Sequence, residues 1–179
     1  HAGLRHDKRQ RLGQRDIECE ESNIILTHGA SQALELAVRC LSTRGDMVLV
    51  EDPGYCNLYP ALQALGLRIA SIPRNPDGPC PAQLERMVRR HRPRLFITTS
   101  ILHNPTGTCS TADNMRAVLK IARQHDLTVI EDDIFLDLAP AGQQTLSQLG
   151  GLERVVHIGS FSKTIGPGLR VGYVACAAD

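Results

Sequence analysis

The sequence predicts an α/β fold, a three-layer domain with a mostly parallel sheet and helices on both faces. Two observations carry this expectation. Short runs rich in β-branched and other apolar residues alternate with segments whose apolar residues recur at helical spacing. Turn-forming clusters such as Asp52-Pro53-Gly54 and Asn75-Pro76-Asp77-Gly78-Pro79 separate them.

Along the chain, the basic run Arg5, Lys8, Arg9, Arg11 and Arg15 reads as the solvated face of a short helix. Asn23 to Thr27 is a strand. Ser31 to Leu41 is a helix, with apolar residues at 33, 34, 37, 38 and 41. Met47 to Glu51 is a strand closed by the Asp52 turn, Tyr55 to Leu65 a helix, and Leu67 to Ile72 a strand. The turn cluster at 75–79 leads to a helix from Pro81 to Arg90. Leu95 to Thr99 is again a strand. Ser110 with Asp113 resembles a capping box for a helix that reaches His125. Thr128 to Glu131, Val155 to Ser160 and Val171 to Ala175 complete the strands. The domain division expected is 1–22 as a helical remnant of an N-terminal segment, then one α/β unit over 23–179.

The 179 residues suit one domain, and the formal net charge of +1 gives no global pull toward nucleic acid or membrane. No apolar run is long enough for a bilayer, and no signal-peptide pattern opens the residues given. Cysteines at 19, 40, 56, 80, 109 and 176 form no CxxC pair and read as reduced, mostly core-filling thiols of a cytoplasmic protein. The chain opens at His1 and stops at Asp179 soon after an apolar run, so it is read as a piece of a longer protein.

Five groups of residues fall just after expected strands, where open α/β sheets bind ligands. Gly29-Ala30-Ser31 opens a helix, and its amides and the Ser31 hydroxyl suit an anion. Tyr55 follows the rigid Asp52-Pro53-Gly54 turn and offers a ring face for stacking. In His103-Asn104-Pro105-Thr106-Gly107, the Asn104 amide can donate to a phenolic oxygen. Asp132 ends a strand, where a carboxylate needs a positive partner such as a protonated pyridine nitrogen. Last come Ser160, Lys163 and Arg170: a hydroxyl, an amine able to form an imine with an aldehyde, and a guanidinium whose fork matches phosphate. An aldehyde, a flat ring and a phosphate together describe pyridoxal 5'-phosphate.

These motifs resemble the large domain of the fold-type I, pyridoxal-phosphate-dependent aminotransferases of class I/II, from about Ile24 to Tyr173. The resemblance implies Lys163 as the lysine that bonds the cofactor and Asp132 as the partner of its ring nitrogen. It implies Asn104 as the ligand of the ring hydroxyl, Tyr55 as the stacking aromatic, and Ala30, Ser31, Ser160 and Arg170 as the phosphate cup. The strings EDPGY, HNPTG, VIEDDIF and GSFSKTIGPGLRVGY look like MocR-type regulators, in which a GntR-class DNA-binding module precedes an aminotransferase-like domain. The Lys163-to-Arg170 interval, one residue shorter than in many members, is shared with free-standing 2-aminoadipate-type aminotransferases.

The expected function is therefore sensing of an amino acid or amine in a transcriptional regulator; the alternative is a free-standing aminotransferase. Either would be a cytoplasmic homodimer at full length, touching DNA only through a further N-terminal domain. The resemblance also places a carboxylate-binding arginine in a C-terminal small domain outside this chain, so these residues alone would be inactive. In one departure, Ile134 and Phe135 stand where the family has a tyrosine two or three residues after the aspartate.

Overall fold

A computed structural model describes residues 2–177; His1 and residues 178–179, the end of the expected second unit, lie outside it. The elements in order are α1 (Ala2–Gly13), β1 (Ile24–Thr27), α2 (Ala30–Leu41), β2 (Met47–Asp52), α3 (Leu58–Ala64), β3 (Arg68–Asn75), β4 (Gly78–Pro79), α4 (Pro81–His91), β5 (Leu95–Thr98), α5 (Ala112–Gln124), β6 (Thr128–Asp132), α6 (Leu146–Gly150), β7 (Val155–Ser160) and β8 (Gly172–Ala175). Short 3-10 turns occupy Glu21–Asn23, Leu136–Leu138 and Pro167–Leu169. The strands form one sheet in the order β1-β8-β7-β6-β5-β2-β3-β4. Its centre is parallel, from β3 through β2, β5 and β6 to β7. Antiparallel pairings of β7 with β8 and β8 with β1 close one edge, and the β3–β4 hairpin closes the other.

Strand side chains alternate in direction, and that alternation builds the three layers. Val48 and Val50, Leu95 and Ile97, Ile130, Val156 and Ile158 pack with Ala33, Ala37 and Val38 of α2 and Leu58 and Leu62 of α3. The intervening Leu49, Phe96, Val129 and Val155 pack with Leu84 and Val88 of α4, Met115, Val118 and Leu119 of α5, and Leu146 of α6. Burying each such side chain is worth about 1.5–3 kcal/mol. A third cluster joins Leu12 and Ile17 to Ile24, Leu152, Tyr173 and Ala175, which fastens α1 to the antiparallel edge.

Three expectations are corrected. Thr111, not Ser110, caps α5 by accepting from the Asn114 amide, because Ser110 is buried and accepts from Arg74 Nη2 at 3.3 Å. The cysteines do not fill the core: Cys40 and Cys56 are exposed, and Cys19, Cys80, Cys109 and Cys176 are half-buried. The basic run is not wholly solvated. Lys8 is buried, with Nζ 4.1 Å from the Tyr173 ring centroid and 5.1 Å from that of Phe161. That burial holds its ammonium down at about 8, with the Asp137 carboxylate opposing. The short α6 was not anticipated, although Thr145 and Gln148 form its capping box.

Candidate functional site

The C-terminal ends of β2, β5, β6 and β7 lie along one edge of the sheet, with the start of α2 beside them. There the chain folds around a cavity of about 270 Å³. Its lining includes all eight side chains singled out in the sequence: Ala30, Ser31, Tyr55, Asn104, Asp132, Ser160, Lys163 and Arg170. Leu34, Thr99, Ile134, Phe135, Ser162 and Pro167 complete the wall. Leu34 lies one turn beyond Ser31 on the same helix face, a spacing that could have flagged it. Thr99 and Ser162 carry no such signal.

One end of the cavity suits an anion. Gly29 is the N-cap of α2 and brings no side chain to cap that helix, so its first amides remain available. Gly29 has φ +84, and a Cβ there would lie 2.8 Å from Arg170 Nη2; the guanidinium therefore rests on the glycine at the mouth of the helix. Gly172 permits the same approach, since its Cβ would meet the Gly29 carbonyl carbon at 2.5 Å. Ser160 Oγ accepts from the Ser162 amide at 3.1 Å and lies 3.2 Å from the Val171 carbonyl oxygen, which pins the start of the lysine loop. Helix amides, a hydroxyl and a planar cation form a cup that fits a phosphate group.

The other end suits a flat, basic ring. Tyr55 is 43% exposed, and its hydroxyl accepts from Asn57 Nδ2 at 2.8 Å. Lys163 Nζ sits 5.6 Å from the Phe135 ring centroid. Asp132 Oδ1 is buried without a hydrogen-bond partner among the described residues. Burial pushes this carboxyl up to about 6 against the opposing Ile134 amide. An orphaned buried acceptor of this kind fits a ring N–H. The donor set is thus the one pyridoxal phosphate requires.

Glu131 and Asp133, on either side of Asp132, enter a separate buried network. Glu131 accepts from Ser100 Oγ at 2.5 Å and from the Leu146 and Ser147 amides at 2.6 and 2.9 Å. Burial alone would raise its carboxyl, but the His157 ring, the Ser100 hydroxyl and the Ser147 amide hold it below the ordinary value. Among the described residues, neither Asp133 oxygen has a hydrogen-bond partner, and the nearest ring nitrogen, His157 Nδ1, lies 3.8 Å from Oδ2; burial and the neighbouring charges of Glu131 and Asp132 push its carboxyl well up. Donor atoms of Glu131, Asp133 and His157 lie within 4.8 Å of one another, as metal ligands could. With Glu131 already accepting three hydrogen bonds, a proton on Asp133 satisfies this enclosed cluster more simply than a cation.

A second network went unanticipated. Arg74, whose side chain is fully buried, donates from Nη1 to Glu51 Oε1 at 2.5 Å and to the Thr99 carbonyl at 3.1 Å. Arginine in a turn-flanking strand reads as surface, and only its partner Glu51, 23 residues earlier, makes it core.

The sequence profile of the family described as aminotransferase class I and II matches residues 1–179. The chain is 33% identical over 163 residues to the 2-aminoadipate transaminase of Thermus thermophilus, covering 88% of this chain and 41% of that protein. It is also 33% identical over 169 residues to the HTH-type transcriptional regulator TauR of Rhodobacter capsulatus, covering 93% of this chain and 34% of that one. The chain thus spans less than half the length of these relatives. Among solved structures, LysN, an alpha-aminoadipate aminotransferase from Thermus thermophilus complexed with N-(5'-phosphopyridoxyl)-L-leucine, superposes with a TM-score of 0.90 at 29% identity. That match covers 99% of this chain and 46% of the other.

Proposed function

The chain belongs to the aminotransferase class I and II family, and from that premise we propose that it is a pyridoxal-phosphate-binding domain serving as the amine-sensing part of a MocR-type transcriptional regulator. The observation that carries the reading is the gathering of an amine, an orphaned carboxyl, an amide, a ring face and an anion cup on one cavity. Lys163 would hold the cofactor through Nζ, Asp132 at the ring nitrogen, Asn104 at the ring hydroxyl and Tyr55 at the ring face. Ala30, Ser31, Ser160 and Arg170 would hold the phosphate. When bound, pyridoxal phosphate supplies an electrophilic aldehyde carbon and a ring that accepts an electron pair.

The protein's own part is to bind, orient and move protons. Lys163 Nζ is the amine that an amino acid or amine ligand must displace, and it is the base that can take and return that ligand's α-proton. Asp132, ionised against a ring N–H, relieves its own desolvation. Displacement of Lys163 frees the loop 161–171, which is anchored by the buried Phe161 and exposed at Lys163 to Ile165 and Pro167 to Arg170, and a ligand that binds two loop positions unequally shifts their population.

Ile134 and Phe135 supply no hydroxyl to the cavity, which supports sensing over fast turnover. The identity to a transaminase and to a regulator is equal, at 33%, and separates neither reading from the other. The proposal includes a cytoplasmic homodimer, a cofactor-binding unit over residues 23–179, and DNA contact through a further N-terminal module. Among the described residues, no helix is long and apolar enough to cross a membrane.

The test is a titration of the full-length protein with pyridoxal phosphate, followed by amino acids and amines. A visible absorbance band that one class of ligand shifts, without release of a 2-oxo acid, supports sensing. Stoichiometric release of a 2-oxo acid supports the transaminase instead. No band at any cofactor concentration refutes both.

A further inference from the structure

Five side chains from three separate elements form a polar ring against the loop that carries Asn104, four links of it hydrogen bonds and the fifth a close His103–Glu51 contact. Arg74 Nε on β3 donates to Thr108 Oγ1 at 3.2 Å. Thr108 Oγ1 lies 2.9 Å from Thr106 Oγ1, which lies 2.9 Å from His103 Nδ1. His103 Nε2 lies 3.3 Å from Glu51 Oε2, and Glu51 Oε1, at the end of β2, returns to Arg74 Nη1. Backbone bonds brace the same loop: the His103 amide donates to the Thr108 carbonyl at 2.8 Å, and the Gly107 amide to the His103 carbonyl at 2.6 Å.

Arg74 can only donate, and Glu51 accepts from it on Oε1 and from the Thr99 amide on Oε2. Thr108 Oγ1 accepts from Arg74 and bonds to Thr106 Oγ1, which bonds in turn to His103 Nδ1. His103 Nε2 rests against Glu51 as a close polar contact. Arg74 thus anchors both the loop, through Thr108, and Glu51. Burial and the nearby Arg74 charge push His103 down to about 4, so its ring is neutral near pH 7.

We infer that this ring fixes the Asn104 amide in the cavity, making Arg74, Glu51, His103, Thr106 and Thr108 positioning residues for the group that faces the cofactor's ring hydroxyl. The inference rests on the proposed cofactor role of the cavity. Asn104 itself is exposed and follows His103 directly, so its direction depends on what holds His103 and Thr106. An amide donor beside a ring hydroxyl favours the deprotonated oxygen. Misplacing the amide raises the pH at which the bound chromophore titrates.

Thr106 offers the cleanest perturbation, being exposed at the loop surface and nearly isosteric with valine. In the full-length protein reconstituted with pyridoxal phosphate, Thr106→Val should raise the pH midpoint of the visible band by about half a unit. Thr106→Ser, which keeps the hydroxyl, should stay at the wild-type value. In an Asn104→Ala background, Thr106→Val should add nothing. A merely structural role would lower the melting temperature and leave the midpoint in place; that result overturns the inference while the cofactor role stands. Full additivity with Asn104→Ala also overturns it. Absence of the band in the wild-type protein, seen before any variant is compared, removes the cofactor role and the inference together.

Discussion

Asp132→Asn in the cofactor-free protein should stabilise it at neutral pH, although it removes the carboxyl proposed to anchor the ring. The orphaned Oδ1 and the burial of the group raise its carboxyl from the ordinary 3.8 to about 6 in the fold. A raised folded-state value means the native state binds the proton more tightly than the unfolded chain. The contribution is fully present below 3.8 and is lost as pH rises toward and through 6. At pH 7 the ionised carboxyl costs about 3 kcal/mol, and about 2 kcal/mol of that loss accrues between pH 4.5 and 7. The asparagine amide still lacks partners, which costs about 1–2 kcal/mol at every pH. A net gain of about 1 kcal/mol is therefore expected at pH 7, and a loss of similar size near pH 4.5. For a domain of this size, the difference in melting temperature between variant and wild type should swing by about 4–8 °C between the two pH values. Thermal unfolding followed by circular dichroism at both pH values, without cofactor, measures it. Melting curves that shift in parallel with pH in the two proteins would refute the claim that Asp132 is held ionised against its environment.

Glu51→Gln should cost about 3 kcal/mol, because it leaves a fully buried arginine without its carboxylate partner. Glu35→Gln, which breaks an exposed pair with Arg39, should cost less than about 0.5 kcal/mol; urea melts of the two variants give the comparison, and equal losses would contradict the buried-network reading. Gly29→Ala should cost about 1–3 kcal/mol for its backbone conformation and also push Arg170 from the mouth of α2. The second effect should appear as phosphate-sensitive loss of pyridoxal phosphate affinity in equilibrium dialysis. Unchanged affinity would separate Arg170 from the anion cup.

The parallel centre of the sheet was legible because strands buried on both faces are apolar throughout, as Val48-Leu49-Val50 and Leu95-Phe96-Ile97 are. The eight cavity residues were legible for a related reason. Each sits within a few residues of a strand end or opens a helix, and the topology sends those ends to one edge. Features that depend on a distant partner were not legible. Arg74 and Lys8 look like surface cations until Glu51 and the Tyr173 ring are placed against them. Ser110 and Thr111 compete for one cap, and the winner is decided by Arg74, 36 residues away from Ser110. Cys40 lies in α2 but off the face buried by Ala33, Ala37 and Val38, and Cys56 falls in a turn where no period places it.

The central claim is that Lys163 presents its amine to a cofactor aldehyde inside this cavity. Borohydride reduction of the full-length protein after incubation with pyridoxal phosphate, followed by peptide mapping, tests it most directly. A pyridoxyl-phosphate mass on the peptide containing Lys163, absent from Lys163→Ala and blocked by inorganic phosphate at the Arg170 cup, is the expected result. Label divided evenly between position 163 and the exposed Lys120, or missing from position 163, would contradict the account.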